Sequence, residues 1–157
     1  MIQLKQNIQR QKKKLKHLNA RLFNSSSLIL SQKTPFEYIA ATEFCKIRYY
    51  AAPEKKYREP LVFVAPLAIN MDIYDLYPYR SLVKHFQHSG FDVYLVEWKR
   101  FRYKHRHLNF LSFIDGAIPQ AIERICSHSG SQFISLHGWS MAGIFVTLYT
   151  ALHSPEH

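Results

Sequence analysis

Cysteine is scarce: Cys45 and Cys126 are the only two, far apart and matching no metal spacing. Two such residues make neither a disulfide framework nor a zinc site, and a reduced cytoplasmic setting fits them. No apolar run approaches the roughly 18–20 residues of a membrane span. The basic start is followed only by Leu28-Ile29-Leu30, too short for the apolar core of about 7–15 residues that a secretory signal requires. No internal repeat is present, which excludes solenoid architectures. Acidic side chains are absent from residues 1–33, where eight lysines and arginines stand. Beyond Ser140 the only acid is Glu156, and the only histidines are His153 and His157.

The chain has 157 residues, 47% of them apolar, enough for one domain with a real core. Its net charge is +10, which favours anionic surfaces without choosing among them. The eight cations of residues 1–33 leave only about +2 for residues 34–157. Leu4, Ile8, Leu15, Leu18 and Leu22 fall near one helical face. The pattern predicts a basic amphipathic helix ending near Asn24–Ser27. Such a helix suits an anionic membrane surface or a partner, and equally a solvated helix against its own domain.

Thr34-Pro35 opens the second part, residues 34–157. Two short strands are expected at 38–42 and 45–50. Leu61-Val62-Phe63-Val64-Ala65 is a continuous apolar run of strand length, and 92–97 and 133–137, largely apolar, read as two further strands covered on both faces. Between them 79–88 and 112–128 read as helices. Gly90 is the expected C-cap of the first and Ser112 the N-cap of the second, in which Pro119 predicts a kink. Strands alternating with helices argue for an α/β fold with a parallel sheet, whose ligands bind at the carboxyl ends of the strands.

The third run leads into Gly138-Trp139-Ser140-Met141-Ala142-Gly143 and then an apolar helix-length stretch. A serine on a sharp strand-to-helix turn is the nucleophile elbow of an α/β-hydrolase. The residues two before and two after the serine face each other and must be small; Gly138 and Ala142 are. Gly143 follows where the usual motif has its glycine one place earlier. Ser140 is then the candidate nucleophile, strained toward positive φ, and the Met141 N–H at the helix start faces a developing oxyanion. The plainer alternative is a structural turn between a strand and a helix.

From Pro60 to Leu152 the sequence resembles the polyhydroxyalkanoate synthase family, a branch of the α/β-hydrolases. The resemblance rests on Pro66-Leu67-Ala68-Ile69-Asn70, Asp75-Leu76-Tyr77-Pro78, Ser81-Leu82-Val83 and Gly90-Phe91-Asp92-Val93-Tyr94-Leu95-Val96-Glu97-Trp98. Thr34-Pro35-Phe36-Glu37 also fits the segment entering the first strands. It implies that residues 34–157 are the amino-terminal part of such a fold, truncated after the elbow helix. It implies a hydroxyacyl ester or acyl-CoA-like substrate, no cofactor, and a backbone N–H near Ile69 as second oxyanion donor. Asn70 would shape that loop. Two departures stand out. The synthases carry cysteine where Ser140 stands, so hydrolysis of an ester or thioester gains over polymerisation. The triad acid and histidine of the superfamily follow the elbow on later strands, which is not where Glu156, His153 and His157 lie.

Of the seven upstream histidines, His17, His85, His88 and His128 read as surface positions, and His137 packs beside the elbow. His105 and His107, in the basic loop 99–107, are no convincing metal pair. That loop mixes bases with aromatics as nucleic-acid binders do, but a solvated loop, or one meeting an acyl-CoA phosphate, fits as well. The alternative to an enzyme is a non-catalytic fragment or interaction module. It would bind a membrane or granule surface through residues 1–33, or a partner chain that supplies the missing half.

Overall fold

The computed structural model describes residues 2–23, 34–67 and 69–153. The chain divides into two compact units, residues 1–31 and 32–157. The first is one helix, α1 (Ile2–Phe23), with no acid in its first turn. Lys12, Lys13, Lys14 and Lys16 are exposed, as are Leu15 and Leu18. The expected end of this helix at Asn24–Ser27 lies outside the described residues.

The second unit is built on a five-stranded sheet. Its strands are β1 (Glu37–Ala41), β2 (Cys45–Tyr50), β3 (Leu61–Val64), β6 (Val93–Trp98) and β7 (Ser135–Gly138), in the order β1-β2-β6-β3-β7. β3 pairs in parallel with β6 and β7, while β2 lies antiparallel to β6 and to β1. The three apolar runs of the sequence are thus parallel neighbours with β3 in the middle.

Period-two alternation sends successive side chains to opposite faces. Cys45, Ile47, Val62, Val64, Tyr94 and Val96 meet Ala121, Ile125 and Ala142 on one face. Tyr50, Phe63, Val93 and Leu95 meet Met71, Tyr74 and Val83 on the other. Two helices cover the first face: α3 (Ile118–Ser129) and α4 (Met141–His153). On the second lies α2 (Leu82–Ser89).

The helix expected at 79–88 begins later. Asp75–Tyr77 (β4) and Arg80–Ser81 (β5) pair as a small antiparallel hairpin, and the Ser81 hydroxyl then caps α2 by accepting from Lys84 N–H. Gly90 closes α2 at φ 103°, the left-handed C-cap the sequence predicts. The N-cap expected of Ser112 belongs instead to Asn109, whose side chain accepts from Ser112 N–H. The kink expected from Pro119 takes the form of a π-helical turn, Ser112–Ala117, just before the proline. Proline has no N–H for the α ladder and clashes with the carbonyl four residues back, so the wider turn preceding it relieves both.

Two buried carboxylates fasten the layers. Asp75 accepts from both the backbone N–H and the hydroxyl of Thr34, at 3.0 and 2.8 Å. Asp92 accepts from Ala52 N–H and the Tyr49 hydroxyl and pairs with Lys55 at 2.8 Å. Burial alone would raise the Asp92 pKa, but the Lys55, Ala52 and Tyr49 donors outweigh it and hold the carboxyl below its ordinary value.

Candidate functional site

β3, β6 and β7 run in parallel and reach the same edge of the sheet, where Val64 pairs with Gly138 and with Val96. Three loops leave that edge: 65–70 after β3, 99–109 after β6, and the turn between β7 and α4. Ile69 and Ser140, 71 positions apart in the chain, stand on loops that leave this one edge.

In the turn, Ser140 has φ 56°, the only positive φ of a non-glycine residue among the described residues. A left-handed residue costs about 1–2 kcal/mol when it is not glycine. Its neighbours explain how the turn can be so tight. A Cβ on Gly138 would lie 2.4 Å from the Ala142 carbonyl oxygen and 2.8 Å from Gly143 Cα. One on Gly143 would lie 3.3 Å from Gly138 O. The strand end and the first turn of α4 therefore touch backbone to backbone. Ala142 itself is fully buried against the sheet.

The turn's hydrogen bonds run from Ala142 N–H to Trp139 O at 3.2 Å, and from Gly143 and Ile144 N–H to Ser140 O at 2.9 and 3.4 Å. They leave out the Met141 N–H among the described residues, at the electropositive start of a 13-residue helix. Ser140 and Met141 are exposed. Ile69, the other expected oxyanion donor, sends its N–H to Pro66 O at a long 3.4 Å. Such a bond is weak enough to be shared with an incoming acceptor. Asn70 does not cap with its side chain; its Nδ2 bonds Asp72 at 3.1 Å.

The edge is held rigidly below these loops. The Tyr74 hydroxyl donates to Val64 O at 3.3 Å and Trp98 Nε1–H donates to Ala65 O. Burial pushes the Tyr74 hydroxyl up to about 12, so it remains a donor at neutral pH. His137 packs edge-on against Phe63 and Tyr74, and its Nδ1 is buried with no hydrogen-bond partner among the described residues. The ring chain Phe101–Phe113–Phe145, at 5.5 and 5.2 Å, ties the loop after β6 to the elbow helix.

Other expectations fare differently. His153 does meet an acid, with Nε2 3.7 Å from Asp115. It sits 13 residues along α4 from Ser140, about 20 Å at the helical rise, so this pair cannot serve the serine. His157 and Glu156 lie outside the described residues, as does the side chain of His17. His128 is exposed, as expected, and its Nδ1 also bonds the Tyr94 hydroxyl at 2.8 Å. No cluster of three metal-ligating side chains occurs among the described residues. No described helix is long and apolar enough to cross a membrane. The elbow helix, an apolar stretch in the sequence, is largely bare: Ala142 and Phe145 are buried, while Ile144, Leu148 and Leu152 are 52%, 40% and 63% exposed.

Residues 59–157 match the family described as alpha/beta hydrolase fold. The chain belongs to that family. Within it, the chain is similar to the poly(3-hydroxyalkanoate) polymerase subunit PhaC of Haloferax mediterranei, 31% identical over 76% of this chain and 25% of that protein. It is similar also to the same subunit of Haloarcula marismortui, 30% identical over 66% of this chain and 22% of that protein. The counterpart from Cupriavidus necator is 29% identical over 69% and 18%. The chain thus spans about a quarter or less of the length of these relatives. The resemblance to polyhydroxyalkanoate synthases drawn from the 66–70, 75–78, 81–83 and 90–98 segments agrees with these matches.

Proposed function

We propose that this α/β-hydrolase chain carries the nucleophile and oxyanion hole of an acyl-transfer site acting on hydroxyacyl esters or thioesters. Ser140 attacks the acyl carbon, and the N–H groups of Met141 and Ile69 receive the oxyanion. Gly138, Ala142 and Gly143 make the turn possible. The observation that carries this is Ser140 at φ 56° on a backbone-to-backbone turn whose Gly138 admits no side chain. Strain of this kind is retained where it positions a reacting group. The relatives named poly(3-hydroxyalkanoate) polymerase support a hydroxyacyl group as the acyl transferred.

A serine hydroxyl needs a base to remove its proton, and that base needs an acid to orient it. No described histidine stands in that relation to Ser140. The residues 1–157 alone are therefore expected to be inactive, with the base and acid supplied from elsewhere. The half-open edge of β7 and the bare face of α4 are where a segment or partner bringing them would pack.

The test exploits the nucleophile. A Ser140→Cys variant carries a thiol that reacts without a partner base, at the small thiolate fraction present near neutral pH. With a hydroxyacyl-CoA it is expected to form an acyl adduct at position 140, visible by intact mass, that Ser140→Ala never forms. Equal adduct in both variants would sink the site assignment. Ser140-dependent turnover by the unaltered chain would instead assign the base to an upstream histidine, with His137 and His107 first to be replaced.

A second reading concerns α1. Its exposed Lys12, Lys13, Lys14 and Lys16, with Leu15 and Leu18 70% and 57% exposed, suit an anionic membrane or granule surface. Co-sedimentation with anionic vesicles that weakens with salt supports it; equal binding to neutral vesicles removes it.

A further inference from the structure

The loop after β6 is the most cationic stretch of the second unit and the proposed chemistry leaves it unused. Lys99, Arg100, Arg102, Lys104 and Arg106 fall within eight residues. Four of them line a cleft of about 370 Å³ together with Phe101, His105 and a single acid, Glu43. That volume lies in the range of small-molecule sites, roughly 300–1,000 Å³. We propose that this cleft holds the phosphates of the coenzyme A half of a thioester whose acyl half reaches Ser140. The inference rests on the acyl-transfer reading of Ser140 and names the donor's handle.

Three observations support it. The first is place: the loop leaves the edge of the parallel sheet from which the Ser140 turn also leaves, and the Phe101–Phe113–Phe145 stack links them. A thioester carries its phosphates at the far end of a long pantetheine arm, so a phosphate site belongs at a remove from the nucleophile, on the same edge.

The second is preorganisation. Lys99 N–H donates to Phe44 O at 2.8 Å and its Nζ to Thr42 O, which pins the loop's start to the β1–β2 turn. Further on, Arg102 N–H donates to His105 Nδ1 at 2.9 Å while His105 N–H donates to Arg102 O at 2.8 Å. That reciprocal pair fixes the His105 tautomer, because an Nδ1 that accepts leaves the proton on Nε2 as a donor. Arg100, Arg102 and Lys104 are exposed and make no salt bridge to any acid among the described residues.

The third is an aromatic platform. Tyr103 is 79% exposed, with the Arg106 guanidinium 4.7 Å over its ring and bonded to its hydroxyl. An exposed ring beside a fork of donors suits a purine base next to a phosphate. A nucleic-acid strand would need a continuous basic groove, whereas Lys99, Arg100, Arg102 and Lys104 line one cleft, with Tyr103 and Arg106 beside them in the chain.

The experiment titrates coenzyme A calorimetrically into the full chain carrying Ser140→Ala, so that binding is read without turnover. Binding is expected, weakening with salt. An Arg100→Gln/Arg102→Gln/Lys104→Gln variant is expected to bind about tenfold more weakly or worse, since each lost charge-assisted contact to a phosphate is a strong one. Glu43→Gln removes the cleft's repelling carboxylate at an exposed position and is expected to tighten binding, a gain that misfolding cannot imitate. The proposal is overturned if coenzyme A fails to bind. It is also overturned if the triple variant binds as the parent does, if Glu43→Gln leaves affinity unchanged, or if single-stranded RNA displaces coenzyme A at lower concentration. Failure of the Ser140 reading is registered separately, by absence of the acyl adduct in Ser140→Cys while coenzyme A binding persists.

Discussion

Replacing Gly138 by alanine adds one methyl where the end of β7 touches the first turn of α4. Its carbon would stand 2.4 Å from Ala142 O, 2.6 Å from Ala142 C and 2.8 Å from Gly143 Cα. All three are backbone atoms, so no rotamer change can make room. Restoring ordinary contact means moving β7 and the first turn of α4 apart by about 1 Å, against the buried Ala142 and Phe145 on the same helix. Overpacking of this kind costs about 1–3 kcal/mol, and a rigid site sits at the upper end. Gly143→Ala is the internal control. Its methyl would stop 3.3 Å from Gly138 O, a contact relieved by a few tenths of an ångström. It also gains the propensity of alanine over glycine in a helix, about 1 kcal/mol. The two substitutions, each one methyl and five residues apart, are expected to differ by about 2 kcal/mol or more. For a chain of this size that is roughly 4–8 °C in Tm. Urea unfolding followed by tryptophan fluorescence reads it, with Trp139 in the turn itself. If the Gly138→Ala and Gly143→Ala variants unfold within about 0.5 kcal/mol of each other, the backbone-to-backbone description of the turn is wrong.

Three further outcomes follow from the same structure. Ser140→Gly is expected to be more stable than Ser140→Ala by about 1 kcal/mol in urea unfolding, because only glycine relaxes at φ 56°; equal stabilities would mean that the turn stores no strain. Asp92→Asn separates the ion pair from its hydrogen bonds. The folded pKa of Asp92 is depressed, so its contribution is present above the unfolded value near 3.9 and fades as pH falls through the lower folded value. The stability gap between parent and variant should accordingly be level above about pH 5 and close in acid; a gap independent of pH down to 2 refutes it. Replacing Lys12, Lys13, Lys14 and Lys16 by glutamine should weaken association with anionic vesicles by about 1 kcal/mol for each charge that meets the surface; undiminished co-sedimentation would show that the lysines do not touch lipid.

The sheet was legible because its strands announce themselves. Leu61–Ala65 and Val93–Val96 are apolar on both faces, and only a parallel sheet covered on both sides buries such runs. The Ser140 turn was legible for a different reason, since Gly138 and Ala142 flank the serine with the smallest side chains at the two positions that touch. What was not legible depends on single hydrogen bonds or on context. The β4–β5 hairpin has only two residue pairs around Pro78, Asp75 with Ser81 and Tyr77 with Arg80, too short to show a period. Asn109 rather than Ser112 caps the helix at the β6 crossover, and both are good capping residues. At the site, Ile69 N–H turns toward Pro66 O, a bond that no residue pattern encodes.

The middle strand of the parallel trio is also the earliest of the three in the chain. β3 takes partners on both sides, β6 and β7, that are synthesised later. At about 5–20 residues per second, the Leu61–Ala65 segment waits roughly 2–6 seconds for β6 and roughly 4–14 seconds for β7. During that interval the most apolar five residues of the sheet are an unpaired strand on a nascent chain. Such an exposed, unpaired apolar segment is the kind of surface that chaperones cover while the rest of the chain is made.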